Sequence, residues 1–545
     1  MAVIVAATVA SRSGRYYGFF VMPFSGCSMV RQRTTTTTTT TTSHHRTQHL
    51  STVQWHLSST LSSSPDYTRD ISEQSTTVQP SRPPLILPCQ PDHPIYSVMA
   101  PMVAASDYPF RKLLRDYCGV DLLYTQMLHA KNFVNDANFR RWHCDFYECG
   151  QRFPSSLLPS QRDCLGSNMP KLSPSPPQSF APLMVQLAGH DVDTVVQAAL
   201  MVYEQTDGKL AGIDLNCGCP QNIAKKGNYG AFLMERDSQR VCDILTALRK
   251  HLPPEIAVSA KIRLPPEDDV LTERIARLVE TGINFMTVHG RTLKENKTAV
   301  GPVHADRIRR AIEKARSINP DFAVVANGGM ENYHDVQTIL QYTGASAAMS
   351  SEALLETPNL FQSSSVESGF TPQDRFQQQV FFATKYLDIC EEVGPPLPGV
   401  MGDGGSFGIV RGHFFKFFHR YLNADPTSID LRNEFAGSGM RTLHEARVFV
   451  DKLEDRYDHL LPEDWSVLPS SNPESSWYRR HRKPDRRVHQ RQLRTLNEDE
   501  CLMNVEAKKR EIKERIVKMK QQRQSQLAIE MELAEHNTNP LTSNI

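Results

Sequence analysis

The chain has 545 residues, 39% hydrophobic and 22% charged, with 61 Lys and Arg against 60 Asp and Glu. That length calls for several structural units, and a net charge of +1 does not by itself point to a polyanionic partner. No run of about 18 apolar residues occurs, so no membrane-spanning helix is expected, and eleven scattered cysteines read as free thiols in a reducing compartment.

Residues 1–90 read as a low-complexity extension. No acidic residue precedes Asp66, nine threonines run from Thr34 to Thr42, and too little apolar surface is present to offset the chain entropy of folding. Arg12, Arg15, Arg31 and Arg33 without an acid also resemble an organellar transit peptide, so a mitochondrial or plastid location stands beside a cytoplasmic or nuclear one.

From 91 to 365 the pattern alternates. Strands are predicted at 95–102, 121–128, 183–187, 212–215, 256–263, 285–289, 323–327 and 346–349, and helices at 110–117, 192–205, 236–250, 270–281, 305–318 and 333–342. Eight apolar strands separated by amphipathic helices predict an α/β fold, a closed (β/α)8 TIM barrel. A doubly wound sheet is disfavoured because no G-x-G-x-x-G turn follows a strand. Residues 140–181 are Pro-rich and read as a surface insertion. Its His143, Cys144, Cys149 and Cys164 match no regular zinc spacing, so no metal is assigned. Residues 366–465 read as a small all-helical domain, with Arg411, His413, Lys416, His419 and Arg420 as a basic stretch. Residues 466–545 read as a charged tail, with eight Lys and Arg against one acid in 479–494 and an apolar spacing at Val505, Ile512, Ile516 and Met519 that suggests a coiled-coil seam.

In a barrel the reactive groups sit on the loops at the strand C-termini. Taken in order, those ends carry Pro101, Met102 and Val103; Gln186; Asn216, Cys217 and Cys219; Lys261 and Arg263; His289 and Arg291; Asn327, Gly328 and Gly329; and Ser351 and Glu352. Each alone has a bland explanation: a lone strand-end His is usually structural, and Asn-Gly-Gly is an ordinary turn. Their coincidence at one end of successive strands is what points to a site. The small-residue turns on strands seven and eight suit a phosphate, because bare N–H groups can approach it, and Lys261 with His289 can donate to an electron-rich ring beside it.

Ala100-Pro101-Met102, Asp214-Leu215-Asn216-Cys217-Gly218-Cys219-Pro220, Ala260-Lys261-Ile262-Arg263, Val288-His289-Gly290-Arg291-Thr292 and Asn327-Gly328 together resemble the tRNA-dihydrouridine synthases. The stretch from Cys217 to Leu233 resembles the eukaryotic branch that acts on D-loop positions 16 and 17. The resemblance implies an FMN-bearing barrel with a helical tRNA-binding domain, covering about 94–460, and NADPH or NADH as co-substrate. It implies Cys219 as the acid that protonates C5 of uracil while a hydride reaches C6. It places Lys261, His289, Gln186, Pro101, Met102 and Val103 at the flavin ring. Asn327, Gly328, Gly329, Ser351 and Glu352 fall at its phosphate, and Asn216 and Arg291 toward the uridine. tRNA is the implied partner, with no membrane, and a monomer is expected. Two departures touch the phosphate contacts: Gly329 stands where Asn or Asp is frequent, and Ala353 where many relatives have Gly. A flavin reductase of a free pyrimidine would not need the helical domain or the basic tail. A non-catalytic tRNA-binding protein would not need Cys219, Lys261 and His289.

Overall fold

The computed structural model describes residues 82–151, 157–166, 182–296, 299–363, 370–436 and 440–479, with Glu514. The low-complexity and transit-peptide readings of residues 1–81, the basic run beyond Arg479 and the seam at Val505 to Met519 lie outside the described residues.

Eight parallel strand positions follow one another among the described residues, the second of them in two pieces: β1 Ser97–Met99, β2 Leu123–Tyr124 continued by Leu128–His129, β3 Leu183–Ala188 and β4 Gly212–Cys217, then β5 Ala257–Leu264, β6 Phe285–Thr292, β7 Ala323–Asn327 and β8 Ala347–Ser350. Neighbours in sequence are neighbours in the sheet. β8 returns to β1 through Ser350 opposite Met99, and the bridge from Val98 to Leu122 joins β1 to β2 and completes the ring. Helices such as Val192–Gln205, Ser238–His251 and Ala305–Ile318 alternate with the strands, as a TIM barrel requires. The strands are near-continuous apolar runs because both faces are covered. Val98, Tyr124, Met184, Phe285, Val325 and Met349 share one core cluster, while Val185, Leu187, Ile213, Val258 and Val288 share another with the helices.

An antiparallel hairpin, Leu85–Leu87 with Gln90–Ile95, precedes β1 and adds Leu85, Leu87 and Ile95 to the first of these clusters. The extension expected up to residue 90 therefore ends earlier, before this ribbon. Pro91 and Pro94 hide the strand signal, but a two-stranded ribbon leaves edge positions where a missing N–H is tolerated.

The stretch 140–181, expected as a surface insertion, is in its described part helical and largely buried. It has helices Ala137–His143 and Pro159–Leu165 and a turn at Tyr147–Cys149, and Cys144, Cys149 and Cys164 are buried. Charge explains the docking. Arg111, in the helix Tyr108–Cys118, is fully buried, and a buried guanidinium requires partners for its N–H groups. Glu148 accepts from its Nε and Nη2 at 2.7 and 2.9 Å, and Asp145 Oδ1 accepts from Nη1 at 3.1 Å. No group of His, Cys, Asp and Glu suited to a metal occurs among the described residues.

The helical region follows the barrel: Pro372–Val393, Ser406–Phe417, His419–Ala424, Ile429–Ala436, Leu443–Tyr457 and Pro462–Val467. Capping boxes begin two of these helices, Thr371 with Asp374 and Thr442 with Glu445. The region is locked to the barrel by Asp107, which caps its own helix at Phe110 N. The same carboxylate accepts from Tyr386 Oη at 3.1 Å and lies 2.6 Å from His413 Nε2. Expected on a basic surface, His413 is instead fully buried, and burial holds its imidazole below the ordinary value despite Asp107. Arg420 is likewise engaged, donating to Glu356 Oε1 at 2.6 Å. Among the described residues, no helix is long and apolar enough to cross a membrane.

Candidate active site

The base of the site is a carboxylate in the middle of a strand. Asp214 on β4 is fully buried and lies in register between Gln186 on β3 and Ser259 on β5. Ser259 Oγ donates to its Oδ1 at 2.6 Å and Gln186 Nε2 to its Oδ2 at 2.7 Å. Burial pushes the Asp214 carboxyl up to about 6, so at neutral pH it is ionised and can only accept. That fixes every amide above it. Gln186 turns its NH2 toward Asp214 and its oxygen toward Asn216 Nδ2, 2.8 Å away. Asn216 is then left with its oxygen for the turn, where it accepts from Gly218 N at 3.2 Å and Cys219 N at 3.0 Å. A hydrogen-bond relay thus runs from the barrel core to the backbone that carries the thiol.

Cys219 is partly exposed, whereas Cys217 is buried with its thiol pushed well up. Burial raises the Cys219 thiol above its ordinary value, and the nearby Arg263 and Lys261 recover only part of this. The turn then folds back on the cysteine. Gly230 has φ +66°, a Cβ there would come within 2.9 Å of Cys219 O, and Ala231 N donates to that oxygen at 3.3 Å. Only glycine fits that approach.

A cluster of cations lies on β5 and β6. Lys261 Nζ donates to Asn327 Oδ1 at 2.8 Å, and Asn327 Nδ2 in turn donates to Met349 O at 2.8 Å. Burial and the charge of Arg263 lower Lys261 to about 8. Arg263, to which the sequence assigned no role, donates to Gly218 O at 2.8 Å and Thr292 O at 3.1 Å and so ties the cysteine turn to the end of β6. Burial and the guanidinium of Arg291 lower it to about 10. His289 is held well below its ordinary value by burial and by Arg263, Lys261 and Arg291, so its ring is neutral. Arg291, expected toward the uridine, is 6% exposed. It donates to Gly301 O at 2.8 Å and reaches His289 Nε2 at 3.3 Å, which places it on the Lys261 side of the site.

At the end of β7, Gly328 and Gly329 have φ of +96° and +83°. A Cβ on Gly329 would strike Val303 at 2.5 Å, and one on Gly328 would meet the His289 ring at 3.0 Å. Gly329 N donates to the hydroxyl of Tyr478 at 3.0 Å, a residue far from every motif in the sequence. At the ends of β1 and β8, Pro101, Met102 and Ser351 are half-buried while Val103 and Glu352 are exposed; Met102 N is held by Ser106 Oγ at 2.8 Å. The expected residues therefore form three bonded groups, Gln186–Asn216–Cys219, Lys261–Asn327 and His289–Arg291. Arg263 links the first to β6, with Pro101, Met102, Val103, Ser351 and Glu352 on two adjoining strand ends.

The family model described as Dihydrouridine synthase (Dus) matches residues 98–438. A mouse protein named tRNA-dihydrouridine(16/17) synthase NAD(P)(+)-like is 33% identical over 384 residues, 70% of this chain and 66% of that protein. A mouse protein named tRNA-dihydrouridine(20a/20b) synthase NAD(P)+-like is 33% identical over 365 residues, 67% of this chain and 89% of that protein. The yeast (Saccharomyces cerevisiae) tRNA-dihydrouridine(16/17) synthase is 29% identical over 344 residues, 62% of this chain and 68% of that protein. The family match begins on β1 and continues through the barrel into the helical region, and on that basis the chain belongs to the dihydrouridine synthase family, the NAD(P)-dependent oxidoreductases of tRNA uridine.

Proposed function

We propose that this chain reduces uridine to 5,6-dihydrouridine at positions 16 and 17 of the tRNA D-loop, with FMN as resident cofactor and NADPH or NADH as reductant. The observation that carries the reading is the division of the site, with a protonated thiol on one side and a cation cluster on the other. The cations fit FMN. Lys261, Arg263 and Arg291 converge, and Arg291 Nη2 is buried without a hydrogen-bond partner among the described residues. A phosphate-bearing, electron-rich ring answers that surplus of positive charge. The Gly328–Gly329 turn, too tight for side chains, lets backbone approach a phosphate.

FMN, when bound, would supply hydride transfer between the nicotinamide and C6 of uracil. The chain's own residues do the rest. Cys219 holds the proton for C5: a thiol whose pKa is raised by burial stays protonated at neutral pH and can act as a general acid. The Asp214–Gln186–Asn216 relay fixes the turn that carries it. Lys261, at about 8, is mostly charged at pH 7 and places a cation beside the ring, while neutral His289 offers a hydrogen bond without adding charge. A uridine in folded tRNA must leave its stack to reach this recess, so phosphate contacts around the mouth must hold the RNA.

Cys219→Ala tests the assignment. The variant is expected to remain yellow and to be bleached by NADPH, while dihydrouridine formation falls by about a hundredfold or more, the range for losing a general acid. A fully active variant would remove Cys219 from that role. Mapping dihydrouridine in the product tRNA checks the position; modification confined to 20a and 20b would replace the 16/17 assignment.

A further inference from the structure

Residues 473–479 follow the helical region, lie beyond the 98–438 family match and yet return to the C-terminal face of the barrel. They touch the turn after β7 and the helix that follows β8. On the β7 side, the Tyr478 hydroxyl accepts from Gly329 N at 3.0 Å, and Arg479 Nε pairs with Glu331. On the β8 side, Glu356 in the helix Glu352–Glu356 accepts from Ser476 Oγ at 2.5 Å, Tyr478 N at 3.2 Å and Arg420 Nε at 2.6 Å. Glu356 is 4% exposed, and a buried carboxylate with three donors fixes the segment it receives. The segment fixed in this way lies against the Gly328–Gly329 turn, whose missing side chains let a phosphate approach the backbone.

We propose that Tyr478 is a positioning residue for the cofactor phosphate, its hydroxyl holding the Gly328–Gly329 turn in the conformation that receives the phosphate group. The inference rests on the flavin reading above. Two consecutive glycines are the most freely rotating backbone a chain can offer, and ordering them costs affinity unless they are already held. The hydroxyl holds them through the amide of Gly329, and Glu356 and Glu331 hold the segment that carries the hydroxyl.

The test separates phosphate from ring. Full-length protein stripped of flavin is titrated with FMN and with riboflavin, which lacks the phosphate, following the quenching of flavin fluorescence. Wild-type protein is expected to prefer FMN. Tyr478→Phe keeps the ring in place and removes the bond, so FMN affinity is expected to fall about fivefold while riboflavin affinity stays unchanged. Equal losses for both ligands would make Tyr478 a packing residue and overturn the proposal, as would no loss for either. Wild-type protein that binds both flavins equally would overturn the proposal too, because the phosphate would then add nothing, whereas protein that binds neither flavin would overturn the flavin reading on which the proposal rests.

Discussion

Lys261 is the side chain at the site whose charge is most easily lost. Burial and Arg263 depress it to about 8, with Asp214 recovering only part of the shift. Below that pH the amine is charged; above it the amine is neutral and the attraction for an anionic ligand weakens. FMN affinity is therefore expected to be flat below pH 7.5 and to fall above pH 8, by at most about tenfold per pH unit for one proton. Lys261→Met is expected to bind FMN more weakly at pH 7 and to lose this alkaline limb. Titrations at pH 7, 8 and 9 check both, and a wild-type profile with no limb would place Lys261 away from the flavin. Lys261, His289 and Cys219 were legible because each is a polar residue ending an apolar run. The contact of Arg291 with Gly301 O was not legible, because it depends on a loop ten positions later whose path no local pattern encodes. Tyr478 carried no signal, since its partner lies 149 residues away.

Elements were legible wherever periodicity was long. The predicted strand at 323–327 is β7, and the predicted helix at 192–205 is Val192–Gln205. Strand ends were less so. β6 was expected to stop at His289 and runs to Thr292, because an irregularity in the pairing with β5 between Arg263 and Leu264 lets the ladder continue. The short helices Asn222–Gly227 and Ala231–Arg236 after β4 were not predicted, since Asn, Gly and Lys dominate the first and each is under two turns long. The docking between barrel and helical region was invisible because one residue, Asp107, serves both as a helix cap and as the partner of His413 and Tyr386. His413→Leu keeps the volume but removes the partner of a buried carboxylate. It is expected to lower stability by about 2 kcal/mol in chemical unfolding, the range for losing one hydrogen bond to a charged group, since the Phe110 amide and Tyr386 still donate to Asp107; far-UV signal and flavin release are followed together. A loss under about 1 kcal/mol would mean that packing alone holds the two regions.

At the scale of the whole molecule the near-zero net charge conceals an uneven distribution, with the basic run 479–494 set against a remainder in which acids outnumber bases. Cations of the helical region are occupied inside the protein, Arg420 by Glu356 and Arg447 by Asp388 and Glu391, so the run is expected to carry a larger share of any RNA contact. Removing residues 480–545 spares the Tyr478 and Arg479 contacts. Flavin content is expected to be unchanged, while tRNA affinity weakens. The log–log slope of affinity against salt is expected to flatten by about 0.7 to 0.9 for each phosphate that the tail neutralises. An unchanged slope would show that the tail neutralises none. The link between Asp107 and His413 also sets a schedule for synthesis. The two residues are 306 positions apart, and Phe110 beside Asp107 stacks on the same imidazole at 4.5 Å. At ribosomal speed that separation is roughly 15 to 60 s, during which a helix destined for burial waits with its carboxylate and ring uncovered. A chain that ends before residue 413 is therefore expected to leave this flank of the barrel uncovered and open to association with other chains.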